Sequence, residues 1–462
     1  MNDSSLDPAA DQNPTPAAYP DPSDLDPGAS GRPEAVRRQN RVALLGTIAL
    51  AIALAFGGGL VVGRATAPAG PAATTAADAT PGPLPTAVAS STAELPSEGG
   101  RLGRPDAKVV IEYWADFQCP FCARFAQEVI PKLESRIADG TVALVHRDYA
   151  FIGTESLDAA IAVRCASGEG KYWAMHDAVY AAQNGENKGG FARPRLVQIA
   201  ASVGLDATSF AACIDDHEPL VAVLDDTAAG VRTGIESTPT VDVNGNRYLG
   251  VPDIAVLLTA IDAAAAGASP APLPTAKPIS DPWSGTPTDG RTAGKPEAPV
   301  TVELWMDYQS ADSAAVAAEL EPELRSRIGA GAIRVVQRDL ALLGEESVTA
   351  ASMVRCVARQ AGPAWLINDI LAGAGRGAST GIYTSLNLLR LSAQLGLDVK
   401  ALDACLSDAA VKAEVMEDTA AGTALGLSAA PSVVIRVGDR EAGRFSGVLD
   451  VKAVLAAIDA AK

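Results

Sequence analysis

Clustered positive charge is what this 462-residue sequence most plainly lacks. Its 37 lysines and arginines are outnumbered by 55 acidic residues, giving a formal charge of −18. No basic stripe is present to neutralise a row of phosphates, which excludes nucleic-acid binding. Histidine is scarce as well: His146, His176 and His217 are the only three. A structural zinc site needs four nitrogen or sulfur ligands close together, and these histidines with scattered cysteines do not supply them. Neither a metal nor a separate cofactor is expected. Cysteine is limited to Cys119, Cys122, Cys165, Cys213, Cys356 and Cys405. An even count suits a fully paired, oxidised chain, so the compartment decides how these residues are read. With 48% hydrophobic and 20% charged residues, the composition is that of a globular protein, and the length suggests two domains.

Charge is absent altogether from Val42 to Gly63. As a helix this run would extend about 33 Å, enough to cross a bilayer core of roughly 30 Å. Arg37, Arg38 and Arg41 precede it and Arg64 alone follows. The positive-inside bias therefore places the N-terminus in the cytoplasm and everything after Arg64 outside. A cleaved signal peptide is the competing reading, with Ala65 and Ala67 as small residues near a cleavage point, but the apolar core is longer than signals carry. Under either reading the rest of the chain is exported, where disulfides persist. The expected layout is a disordered cytoplasmic tail over 1–41, a single transmembrane helix over 42–63, and a Pro/Ala-rich spacer over 64–99. A domain over 100–265, a proline-rich linker over 266–290 and a second domain over 291–462 follow.

Those two domains repeat one another. Gly103-Arg104-Pro105-Asp106-Ala107 returns as Gly294-Lys295-Pro296-Glu297-Ala298, 191 positions on. At the same offset Trp114 meets Trp305, Asp116 meets Asp307, Gln118 meets Gln309 and Cys165 meets Cys356. After a one-residue insertion Cys213 meets Cys405 and Pro239 meets Pro431. In the first copy the pattern reads as a strand at Val109–Trp114, a helix from Cys119 to Ile137 bent at Pro131, and a strand at Val142–Asp148. Helical segments over 156–233, a hairpin at Thr240–Gly250 turning at Asn244-Gly245, and a closing helix near Asp253–Ala264 complete it. This is an α/β order around a mixed central sheet.

Cys119-Pro120-Phe121-Cys122 carries the chemistry. A cysteine where a helix begins meets unpaired backbone N–H groups and the positive end of the helix dipole, so its pKa should fall below the usual value of about 8.5. The second cysteine lies one turn further, near enough to close a disulfide. Each unit of pKa lowering stabilises the reduced form by about 1.4 kcal/mol, or roughly 30 mV in a two-electron couple. Phe121 adds no positive charge between the two, which suggests a milder oxidant than a histidine there would give.

The run from Gly103 through Glu112-Tyr113-Trp114-Ala115-Asp116-Phe117-Gln118 to the CPFC motif resembles the DsbA family of thiol–disulfide oxidoreductases, especially its Gram-positive and actinobacterial members. Residues 100–265 resemble it well and 291–462 more weakly. The resemblance implies two tandem thioredoxin-like domains with helical insertions, the second degenerate. It makes Cys119 and Cys122 the catalytic pair and implies a cis-proline loop, which Thr238-Pro239 fits. Thr238 and Pro239, with Pro120 and Phe121, are carried over as substrate-contacting residues. Some relatives place an acid where this chain has Tyr113. Asp116 and Glu112 are candidate substitutes, although Asp307 and Glu303 persist in a copy without the motif. The implied partners are exported proteins with cysteine thiols and a DsbB-like or vitamin K epoxide reductase-like membrane protein that restores the disulfide.

The second copy reads Ser310-Ala311-Asp312-Ser313 opposite the motif and has no histidine to activate a serine. Ser310 or Asp312 is expected to stabilise the helix start. Cys165 with Cys213 and Cys356 with Cys405 survive in both copies, which suggests structural disulfides pinning the helical insert, with buried free thiols as the alternative. Each bridge would stabilise by about 4 kcal/mol in the chain-entropy model. His146, replaced by Gln337, is a candidate neighbour of the motif, and His217 a candidate tuning group or a solvated surface residue. The functional expectation is a membrane-anchored, extracytoplasmic protein that introduces disulfides. Running as a reductase or isomerase, or serving as a tethered binding or chaperone module, remains the alternative.

Overall fold

In the computed structural model, residues 92, 95–269, 280–375, 377–378 and 380–461 are described. The expected tail at 1–41 and transmembrane run at 42–63 lie outside them, as do most of the 64–99 spacer and part of the second linker. Among the described residues no helix is long and apolar enough to cross a membrane.

The first copy's strands are β1 (Ser97–Glu98), β2 (Arg101–Leu102), β3 (Val109–Ala115), β4 (Val142–Asp148), β5 (Thr240–Val243) and β6 (Asn246–Leu249). They form one sheet in the order β1-β2-β4-β3-β5-β6. β3 and β4 are parallel, with Val109 opposite Val142 and Tyr113 opposite His146. β5 runs antiparallel to β3, and β6 antiparallel to β5. The second copy repeats this with β7 (Thr288–Asp289), β8 (Thr292–Ala293), β9 (Val300–Met306), β10 (Ile333–Asp339), β11 (Ser432–Val437) and β12 (Arg440–Ser446), ordered β12-β11-β9-β10-β8-β7. β3 and β9 lie at the centre of their sheets and bury both faces, as their near-continuous apolar composition requires.

Local sequence explains several corners. Gly103 and Gly294 adopt φ of +101° and +99°, and a Cβ there would sit 2.7 Å from the Val142 and Ile333 carbonyl oxygens respectively. Only glycine meets both demands. Asn244 and Gly245 have φ of 45° and 92°, the paired positive values of a tight hairpin turn. Asp253 and Asp450 begin the closing helices Ile254–Ala265 and Val451–Ala460, each accepting two backbone N–H groups.

The helix after the CPFC motif is less regular than its periodicity suggests. It is α over Pro120–Arg124, π over Phe125–Val129, 3-10 over Ile130–Leu133 and α again over Glu134–Ala138. Pro131 lacks the N–H that would continue the ladder, so the helix widens before it and tightens around it. A π segment at Val316–Leu320 precedes Pro322 in the second copy in the same way.

Five α-helices separate β4 from β5: Thr154–Cys165, Tyr172–Ala181, Arg193–Ser202, Ala207–Ile214 and His217–Arg232. Disulfides join Cys165 to Cys213 and Cys356 to Cys405, closing separations of 48 and 49 residues. Each ties the first insert helix to the fourth. Helix His217–Arg232 packs against Ser385–Gln394 and Val399–Ser407 of the second copy. His217 Nε2 lies 2.7 Å from Asp403, and Lys400 lies 3.1 Å from Asp225. His217 therefore serves the contact between copies rather than the CPFC motif.

The second copy begins earlier than its composition implies. β7 falls inside the stretch read as linker, and Trp283 there is buried against Trp365, with ring centroids 4.3 Å apart. Its indole N–H donates to Asp369 at 3.0 Å. One tryptophan among prolines gives no periodicity, so this anchor is invisible until the fold is assembled.

Candidate active site

β3 ends at Ala115, and the Asp116-Phe117-Gln118 loop delivers Cys119 to the N-cap of the following helix, with Pro120 as its first residue. Asp116 fixes this loop. Its buried carboxylate accepts N–H groups from Gln118 (2.8 Å), Phe151 (2.9 Å) and Ile152 (3.0 Å), and the Ser156 hydroxyl at 2.6 Å. Burial pushes the Asp116 carboxyl pKa upward while these donors oppose the shift. Asp307 makes the same four contacts in the second copy, to Gln309, Leu342, Leu343 and Ser347. Both acids are scaffold elements. Glu112 is held by Arg147 at 2.7 Å.

The two cysteines occupy different environments. Cys122 is fully buried, whereas Cys119 retains a small exposed area; both are free thiols. Hydrogen bonding from the Cys122 side chain pulls the Cys119 thiol down to about 6, against the opposing effect of burial. Thr238 and the backbone N–H groups of Cys122 and Phe121 add to the lowering. Burial drives Cys122 well above the ordinary thiol range, and the neighbouring Cys119 reinforces this. One sulfur is thus prepared as a thiolate and its partner as a thiol.

Thr238 and Pro239, joined by a cis peptide bond, approach from the loop before β5. The Thr238 carbonyl accepts from Cys119 Sγ at 3.4 Å. Gln183, unremarked in the sequence, donates to the Cys119 carbonyl at 3.1 Å and also to that of Phe117. Phe121 is 57% exposed. Phe151, whose N–H is bound by Asp116, and Leu249, which pairs with Thr240 just after Pro239, are exposed as well. Exposed apolar side chains therefore stand on the motif itself and on segments bonded to the Asp116 and Thr238-Pro239 loops, beside the less buried sulfur of the pair.

Behind Cys122 lies a ring cluster that sequence reasoning reached only through His146. Tyr113, Phe117, His146, Tyr172, His176 and Tyr180 are all buried. The Tyr113 hydroxyl is hydrogen-bonded to His176 Nε2, His176 Nδ1 lies 2.8 Å from Asp177, and His146 Nδ1 lies 2.6 Å from the Tyr172 hydroxyl. Burial, chiefly, keeps the His146 pKa well below its usual 6.5. These residues come from β3, the loop after it, β4 and the second insert helix; Tyr172, His176 and Tyr180 share a helix face at four-residue spacing, and no local spacing ties them to the other three.

In the second copy the Ser310 hydroxyl donates to the Ala430 carbonyl at 2.8 Å, beside the cis Ala430–Pro431 bond. Ser310 thus bonds across to the loop and does not cap the helix, contrary to the sequence expectation. Asp312 occupies the cap position without a side-chain bond to it. No group of three or more potential metal-binding side chains is found among the described residues.

A family model described as thioredoxin matches residues 97–263 and again 286–460. The chain is 31% identical over 165 residues to a Na(+)/H(+) antiporter NhaA 1 of Mycobacterium sp. (strain KMS), covering 35% of this chain and 26% of that protein. It therefore spans about a quarter of that relative's length. It is 28% identical over 166 residues to a probable disulfide bond formation protein D of Bacillus anthracis, covering 35% of this chain and 76% of that protein. Among solved structures, oxidised BdbD from Bacillus subtilis is similar at 23% identity and a TM-score of 0.35, covering 37% of this chain and 94% of that one.

Proposed function

Because this chain belongs to the thioredoxin family, which its sequence matches twice, we propose that it is a thiol–disulfide oxidoreductase of DsbA type acting through Cys119 and Cys122. The observation that carries this reading is the asymmetry of the pair: a thiol at the N-cap position of a helix, lowered to about 6, beside a fully buried partner raised by burial.

In the oxidising direction a substrate thiolate attacks Cys119 in the Cys119–Cys122 disulfide. A substrate–Cys119 disulfide forms, and Cys122 leaves with the electron pair and takes up a proton. A second substrate thiolate then attacks the substrate sulfur, forming the substrate disulfide. Cys119 leaves as a thiolate, which its surroundings stabilise. The Thr238 carbonyl and the exposed Phe121, Phe151 and Leu249 would receive an extended, apolar polypeptide around the reacting cysteine. Exported proteins with free thiols are the proposed substrates, and a quinone-linked membrane protein of DsbB-like or vitamin K epoxide reductase-like kind would return the disulfide.

Membrane anchoring through 42–63, with both domains outside, belongs to this proposal and rests on the charge-free run behind Arg37, Arg38 and Arg41. Two domains are likewise proposed from the repeat, the first near 100–265 and the second reaching back from 291 to Trp283. The test is the redox form of the Cys119–Cys122 pair in cells, together with complementation by a Cys119→Ser/Cys122→Ser variant. A pair held mostly as disulfide and a variant that fails to complement support the oxidase. A pair held mostly as dithiol points to a reductase or isomerase, and full complementation by the variant abandons the enzyme for a binding module.

A further inference from the structure

Gln183 ties the helical insert to the residues that present Cys119. It lies just beyond the helix Tyr172–Ala181. Its side-chain amide donates to the Cys119 carbonyl at 3.1 Å and to the Phe117 carbonyl, using the two hydrogens of one nitrogen. The remainder of its segment is fastened by other groups. Glu155 accepts the Gly189 and Phe191 N–H groups at 2.8 Å each. Gln118 accepts the Asn187 N–H and donates to the Asn187 side chain at 3.2 Å. Closing the segment therefore does not depend on Gln183.

The second copy keeps the segment and separates the two bonds that Gln183 makes. Glu346 accepts the Gly381 and Tyr383 N–H groups at 3.0 and 3.1 Å, as Glu155 does in the first copy. At the spacing that pairs Cys213 with Cys405, Gln183 meets Gly375 and Phe191 meets Tyr383. A Cβ on Gly375 would lie 2.6 Å from the Ser310 carbonyl oxygen and 2.7 Å from that of Tyr308, the counterparts of Cys119 and Phe117. The Tyr308 carbonyl receives the Tyr383 hydroxyl at 2.7 Å. That bond replaces the one from Gln183 to Phe117. Glycine at 375 brings no side-chain donor to Ser310, a residue without a thiol.

The Cys119 carbonyl sits on the same residue as the reacting sulfur. Its negative partial charge opposes a thiolate there, and a donor on that oxygen offsets it. The oxygen also accepts the Cys122 and Ala123 N–H groups at 3.1 and 3.2 Å, and the Asp116 carbonyl accepts the Cys119 N–H at 3.0 Å. Held at both ends, the Cys119 peptide keeps Sγ directed to the Thr238 carbonyl at 3.4 Å. The groups acting on the sulfur are Cys122 and Phe121 of the motif helix and Thr238 of the loop before β5. None of these is a cation, so a thiolate at Cys119 depends on dipoles. We propose that Gln183 is a positioning residue of the redox centre, fixing the Cys119 peptide and offsetting the charge of its carbonyl beside a thiolate. The proposal rests on the oxidoreductase reading. Gln183 exchanges no atom or electron and acts only through Cys119.

The test uses the full chain with Gln183→Met, which keeps the length of the side chain and removes both donors. Alkylation of reduced Cys119 across pH should have its midpoint moved up from about 6. The thiolate fraction below the midpoint should fall about three- to tenfold. In equilibrium with glutathione, one glutathione disulfide converts the dithiol to the Cys119–Cys122 disulfide and becomes two glutathione thiols. That balance should move toward the protein disulfide by up to about tenfold, because the reduced form loses stabilisation. Gln183→Glu sets a carboxylate against both carbonyls and should move both readouts further in the same direction. Adding Phe191→Tyr to Gln183→Met supplies the second copy's hydroxyl to the Phe117 carbonyl. It should restore stability in urea while the alkylation midpoint stays raised. An unchanged midpoint and balance in Gln183→Met overturn the role of Gln183 and leave the oxidoreductase standing. A midpoint that returns to about 6 together with stability in the double variant does the same. Failure of the unmutated chain to react with glutathione disulfide sinks the oxidoreductase reading itself.

Discussion

Asp116 and Asp307 have the same role in two places. Each accepts three backbone N–H groups and a serine hydroxyl, and each fixes the loop that leads into a helix. Beyond that loop the copies diverge. The first continues with Cys119, whose thiol is lowered to about 6 and whose Sγ faces the Thr238 carbonyl; the second continues with Ser310, which bonds to Ala430 in the matching position. Substitution of one turn and of the ring layer behind it separates a copy with a thiol pair from a copy without one. The loop and the insert disulfide persist on both sides. Such persistence identifies scaffold.

The sharpest way to break this contrast is to remove Cys119. Cys119→Ser should bring thiol exchange by the full chain to the uncatalysed rate. Ser310→Cys in that background should restore an alkylatable thiol in the second copy without restoring turnover, because Ser313 supplies no resolving sulfur. Measurable exchange in Cys119→Ser alone would mean the second copy is active after all. Next in size are the disulfides. Replacing Cys165 and Cys213, or Cys356 and Cys405, by alanine should each cost about 4 kcal/mol in urea unfolding. Unequal losses would show that the bridges serve the copies differently.

Asp116→Ala and Asp307→Ala should each lower stability by about 3 kcal/mol, since several donors lose their acceptor. A loss confined to Asp116→Ala would end the case for a shared scaffold role. The smallest effect concerns pH. His146 is kept neutral by burial, with a folded pKa below 6.5, so the unfolded chain binds the extra proton. The resulting penalty is absent above about pH 7 and grows as pH falls through roughly 6.5, reaching about 2 kcal/mol by about pH 5. His146→Gln, which installs the second copy's residue, should flatten that acid limb of the stability curve; an unchanged slope would refute it.

Sequence reading reached far where chemistry or geometry is local. The helix-capping cysteine, the Asn244-Gly245 turn and the strand at Val142–Asp148 follow from adjacent residues, and the repeat follows from matched spacing. It fell short where partners are distant. Asp116 was a candidate proton shuttle until its contacts to Phe151, Ile152 and Ser156 were visible. Trp283 was part of a linker until Trp365 came to meet it. Gln183 lies 64 residues from the carbonyl it holds at Cys119.

By itself, the sequence determined that one fold was written twice and that only the first writing has two sulfurs at a helix start. Short-range spacing and backbone geometry set both facts. Tertiary structure alone decided which carboxylates are fully engaged and that the Tyr113 hydroxyl meets His176, which Asp177 holds from its other side. Tyr113 comes from β3 and His176 from the helix Tyr172–Ala181, and only the packed sheet and helices bring the two within hydrogen-bonding distance.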